Sequence, residues 1–154
     1  MPSLCSMRKL LVVRAVAILG LVRPIQTSVV QRVRSQFMIA SPRLSAELLA
    51  HHLPWKTLET LSPVPNGFDH YATCFDLGVG EHDRVDQHLE AVKDTLLAQQ
   101  RELDALLGEC KYALWVYYDF PIDDGAFNLF PSILAAFAFL RVEVIFRLHA
   151  TPKA

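Results

Sequence analysis

Glycine is scarce in this chain, six in 154 residues, and cysteine scarcer still at three. The few glycines exclude the loops that wrap phosphates. Gly78-Val-Gly80 precedes a helical stretch but lacks the third glycine and the lysine such a loop needs. Cys5, Cys74 and Cys110 are odd in number, far apart and in no Cys-x-x-Cys pair. That spacing excludes a disulfide framework or a zinc ribbon and fits free, buried thiols in a reducing, cytoplasmic setting. Neither Cys74 nor Cys110 has a histidine in a recognisable arrangement, and there is no Gly-x-Ser-x-Gly, so no nucleophile stands out. Long apolar runs are also missing. In the apolar stretch 10–22, broken by Arg14, the longest clean run, 15–22, is eight residues, whereas a bilayer-spanning helix needs about 20; no membrane role is expected.

Acid is absent from the first 46 residues, which carry seven basic groups (Arg8, Lys9, Arg14, Arg23, Arg32, Arg34, Arg43). The remainder holds eight basic against all sixteen acidic residues, a net of −8. An acidic globular part excludes general nucleic-acid binding, which needs clustered Lys and Arg to displace counterions. Hydrophobic residues make up 52% and charged ones 20%, the composition of one folded domain rather than of a disordered chain. We place that domain at 32–150 and an N-terminal extension at 1–31. The extension admits three readings: a dispensable tail or misplaced start, a targeting segment with its basic residues before a short apolar run, or a helix docked on the domain.

Alternation and turn chemistry predict four strands, at 33–40, 68–77, 111–120 and 141–148. Helices are predicted at 45–53, 83–107 and 130–139. Ser45 is the N-cap of the first, Asp83 of the second and Asn128 of the third. Along the second helix Val85, Leu89, Val92, Leu96, Leu103 and Leu106 form an apolar stripe. Gln99 and Gln100 interrupt it, so a bend is expected near Gln99. Residues 55–67, dense in Ser, Pro, Asn and Gly toward their end, are expected to be a loop. The fold class is α+β, a mainly antiparallel four-stranded sheet with helices packed on one face.

The order of these features resembles a known pattern. Leu44-Ser-Ala-Glu-Leu-Leu49, Asp86-Gln-His-Leu-Glu-Ala-Val92, Gly125-Ala-Phe-Asn-Leu129 and Val142-Glu-Val-Ile-Phe146 fall where similar pieces fall in the bacterial family catalogued as domain of unknown function 4279. The likeness covers about residues 35–147. This chain departs from it in the second strand, where Tyr71 or Phe75 replaces an expected Trp, and in the 55–67 loop, which lacks the usual basic and glycine character. The resemblance implies the fold and no activity.

Candidate chemistry is thin. His82, Asp83, Asp86 and His88 gather at the start of the long helix, and His82 and Asp86 have the i,i+4 spacing of two ligands. His88 falls on the far side of such a helix, so no third ligand completes a metal site. His51 and His52, adjacent near a helix end, point about 100° apart and cannot chelate one ion. Asp119 with Asp123-Asp124 has the make-up of a carboxylate cluster, but Asp-Asp-Gly after Pro121 is primarily a turn. We therefore expect no catalytic residues, no metal and no cofactor.

The sheet offers more. Alternation places Tyr112, Leu114, Val116, Tyr118, Val142, Val144, Phe146 and Leu148 on the core side, with Phe37, Ile39, Tyr71 and Phe75. The opposite side then carries Arg34, Gln36, Met38, His70, Cys74, Asp76, Ala113, Trp115, Tyr117, Asp119, Glu143, Ile145 and Arg147. A mixed aromatic, aliphatic and charged face has the composition of an interaction surface. Met38, Trp115, Tyr117, Asp119, Ile145 and Arg147 are its expected centre. The function expected is a non-enzymatic protein-binding or self-associating module with a protein partner or a second copy, of the immunity-protein kind. The alternative is a small-ligand-binding or hydrolytic domain, with a pocket near the 78–82 and 121–127 loops where two or more of His70, His82, Asp119 and Asp123 would converge.

Overall fold

The computed structural model describes residues 13–18, 31–61, 71–122 and 125–152. The elements run β1 (Val13–Ile18), β2 (Arg32–Ser41), α1 (Ala46–His52), β3 (Lys56–Leu61), β4 (Tyr71–Asp76), α2 (Val85–Ala98), α3 (Gln100–Leu106), β5 (Lys111–Pro121), α4 (Pro131–Phe139) and β6 (Val142–Thr151). The strands form one six-stranded sheet in the order β1-β6-β5-β2-β4-β3. It is mixed: β2 pairs antiparallel with β4 and β5, and β3 with β4, while β6 runs parallel to both β5 and β1. Parallel neighbours need a crossover connection, and α4 provides it between β5 and β6. None of the described helices is long and apolar enough to cross a membrane.

The predicted strands and helices are all present, and two strands are added. Lys56–Leu61 is β3, not loop. It lies at the sheet edge with Lys56, Thr57, Leu58, Glu59 and Thr60 all exposed and a bulge between Thr57 and Glu59, so neither face gives it an apolar alternation. The stretch Val13–Ile18, within the expected extension, is an edge strand on β6 and not a helix. The long helix does break where its stripe lapses, and Gln99 closes α2 and opens α3. It starts later than expected. Val85 is the first helical residue and Arg84, not Asp83, the cap position. Similarly α4 opens after Phe130 with Pro131 in its first turn, not at Asn128. Ser45 caps α1 as predicted, its Oγ accepting from the Leu48 N–H.

All four helices pack on one side of the sheet. Leu49, Leu89, Leu103 and Phe137, one from each, join a single core with Val33, Phe37, Ile39, Phe75, Leu114, Val116, Val144 and Phe146. Trp55 sits edge-on between Phe37 and Phe75, with ring centres 5.5 and 6.2 Å away. Tyr112 reaches from the sheet to α3, its hydroxyl donating to the Leu103 carbonyl at 2.6 Å. Tyr71, expected inward, begins β4 at the rim and is exposed. The far side of the sheet carries none of the described helices.

Candidate functional site

Antiparallel and parallel registers bring the far face into rows. Gln36, Trp115 and Ile145 lie abreast on β2, β5 and β6; next come Arg34, Tyr117 and Arg147; then Arg32, Asp119 and His149. Met38 stands beside Ala113, one row the other way. All six residues expected at the centre of the surface are therefore on one face. They are not equally available. Arg147 is exposed and Met38, Trp115, Tyr117 and Asp119 are half-buried, but Ile145 is only 9% exposed and so contributes mainly by filling space.

Two guanidinium groups lie over two rings. The Arg147 Cζ is 4.4 Å from the Trp115 ring centre, and the Arg34 Cζ is 5.3 Å from that of Tyr117, within the range of attraction between a cation and a π face. The Tyr117 hydroxyl points toward Gln36 Oε1 at 3.5 Å, a marginal hydrogen bond. In the next row His149 Nδ1 lies 3.4 Å from Asp119 Oδ1. Two cavities flank this centre and share Arg34 and Tyr117. One, of about 250 Å³, is bounded by both arginines, Tyr117, Asp119 and His149. The other, of about 420 Å³, lies against Ser35, Gln36, Leu58, Asp76 and the loop through Val79, Gly80 and Glu81.

That second cavity exists because the chain leaves the sheet and returns. β4 accompanies β2 as far as Phe75 opposite Phe37, and His82 rejoins at Val33 with hydrogen bonds of 2.6 and 3.0 Å. Between them Gly78 and Gly80 adopt φ of 72° and 77°, the left-handed region that glycine reaches without Cβ crowding. Asp76 Oδ1 accepts the Gly78 N–H at 2.8 Å, holding the turn.

The return at His82 also corrects the reading of the histidines. His82 is in extended backbone, not on the helix, and its ring meets that of His88: the two Nδ1 atoms are 2.9 Å apart. On the other side His88 Nε2 is 2.8 Å from Ser35 Oγ. A neutral imidazole donates from one nitrogen and accepts at the other, so one proton on His88 satisfies both contacts. Burial, and then the neighbouring His82, pushes His88 down to about 4. Serine, histidine and a second histidine in line follow the order of a nucleophile, its base and an orienting group. His88 is 0% exposed, however, and a base sealed from solvent has no route to a leaving group. Asp86, the other expected ligand, is held by Arg84 at 2.7 and 3.0 Å. No three of His, Cys, Asp and Glu gather around a common point among the described residues.

The convergence required by the pocket alternative does not form from the described residues. His82 faces the helix layer and Asp119 the far face, and His70 and Asp123 lie outside the described residues, as do Asp124 and Cys5. The described residues of the 121–127 turn line neither cavity. Cys74 and Cys110 are free and buried, and burial pushes both thiols up, away from nucleophilic character. Two residues outside the expected centre join it: Arg34, which alternation already places on this face, and His149. His149 falls one residue beyond the expected end of the last strand, although the alternation Ile145, Arg147, His149 continues through it. Comparison with protein-family models, with curated proteins and with solved structures finds no match to this chain.

Proposed function

We propose that this chain is a non-enzymatic protein-binding or self-associating module acting through the far sheet face, with Trp115 and Tyr117 at its centre. One observation carries this: aromatic rings roofed by guanidinium groups on a sheet face that the described helices leave bare. Trp, Tyr and Arg are the side chains that most often dominate association energies, and here they are adjacent. A cytoplasmic, bacterial, immunity-protein-like setting belongs to the same proposal. It is supported by the two free buried thiols and by the pattern-level resemblance to domain of unknown function 4279.

The test is Trp115→Ala and Tyr117→Ala, followed by native mass spectrometry across concentration and by capture of partners. An anchor residue is worth about 2 kcal/mol or more, so association is expected to weaken roughly thirty-fold while the far-UV circular dichroism is unchanged. A wild-type chain that stays monomeric at every concentration and captures no partner overturns the proposal. A second reading has one observation in its favour: the cavity of about 420 Å³ has the size of a small-ligand pocket, usually about 300–1,000 Å³. That reading puts the ligand at the 77–81 loop.

A further inference from the structure

We infer that the partner of this face is an acidic protein segment, whose carboxylates are received by Arg34 and Arg147. This rests on the proposed binding role of the face and names the chemistry it selects. Both guanidinium groups are held on the face by an aromatic ring. Each lies over a ring, Arg34 over Tyr117 and Arg147 over Trp115, and a guanidinium group can grip a carboxylate with two parallel bonds.

Neither arginine is neutralised within the described residues. Of the carboxylates near them, Glu81 pairs with Arg32 at 3.1 Å, Asp76 accepts the Gly78 N–H, and Asp119 lies 3.4 Å from His149. Arg34 and Arg147 are abreast with Tyr117 between them and border one concavity of about 250 Å³. The single carboxylate there, Asp119, is outnumbered by two guanidinium groups. Strands are about 4.8 Å apart, so the two arginine positions are about 10 Å apart at the backbone. That spacing serves two separate carboxylates better than one phosphate. Beside the arginines, Trp115 and Met38 provide the apolar area a peptide side chain would cover.

The experiment titrates the full chain with an end-capped peptide of about eight alternating Glu and Leu residues, following Trp emission and heat. A peptide with Gln in place of Glu, inorganic phosphate and an oligonucleotide of similar length serve as comparisons. The Glu peptide is expected to bind at least ten-fold more tightly than the Gln peptide, and more weakly as salt rises. Arg34→Gln with Arg147→Gln should abolish that ten-fold preference without altering the circular dichroism. Equal binding of the two peptides, binding of neither, or preference for phosphate or the oligonucleotide overturns the inference. So does self-association that the double substitution leaves unchanged. If Trp115→Ala weakens association while the arginine substitutions do not, the docking face stands and its preference for acid falls.

Discussion

Lowering the pH should destabilise this protein through one residue, His88. In the folded state its ring is sealed between Ser35 Oγ and the His82 ring, and burial holds it at about 4, against 6.5 for a free imidazole. The unfolded chain therefore takes up a proton near pH 6.5 that the folded chain refuses until about pH 4. Between these values the unfolded state binds more protons, so stability falls as pH falls, and the contribution is fully present above about 6.5. A tenfold difference in proton affinity is worth about 1.4 kcal/mol, so the whole displacement amounts to about 3 kcal/mol, a large part of the 5–15 kcal/mol typical of a domain. Urea unfolding followed by far-UV circular dichroism, from about pH 7 to about pH 4, measures it. His88→Gln keeps a hydrogen-bonding side chain but cannot titrate. Any slope common to both proteins cancels in the comparison; the wild type should lose about 3 kcal/mol more than the variant across the window. Parallel curves would refute the assignment of a neutral, buried His88.

Three further perturbations have defined outcomes. Tyr112→Phe removes the donor to the Leu103 carbonyl in α3; urea midpoints should show a loss of about 1–2 kcal/mol. Phe137→Ala empties a side-chain site that is 0% exposed between α4 and the sheet and should cost about 3–5 kcal/mol by the same measurement. Arg141, with φ of 57° just after α4, is a non-glycine residue in the left-handed region. Arg141→Gly should raise the melting temperature, corresponding to about 0.5–1 kcal/mol.

Much of this fold is legible in the sequence because burial leaves a period. Val33, Phe37 and Ile39 on β2 and the alternation from Tyr112 to Tyr118 on β5 announce half-buried strands, and the stripe from Val85 to Leu103 announces a helix. β3 is illegible for the converse reason: as an exposed edge strand it has no buried face to write a pattern. β1 is obscured because a short apolar run after basic residues is equally what a targeting segment contains. The far face can be inferred from alternation alone, but its centre cannot. Which arginine lies over which ring depends on register between β2, β5 and β6, and parallel pairing of β5 with β6 is not encoded in either strand's sequence. The His82–His88 contact is hidden for a related reason. A helix drawn two residues too early separates by its phase two positions that a turn brings together.

The placement of β6 has a consequence for how the sheet is assembled. Its β5 neighbour is close in the chain, Tyr112 opposite Val142, whereas on its other edge Val13 lies opposite Val144, 131 positions away. Closing a loop about four times longer costs about 1.2 kcal/mol more entropy, and the short β1 has only six residues with which to offset it. β1 should thus join last during folding and part first on partial unfolding, its amide protons exchanging with solvent ahead of those shared by β5 and β6. The sheet then behaves as a five-stranded body with a detachable margin, and that seam runs along β6, the strand that carries Arg147.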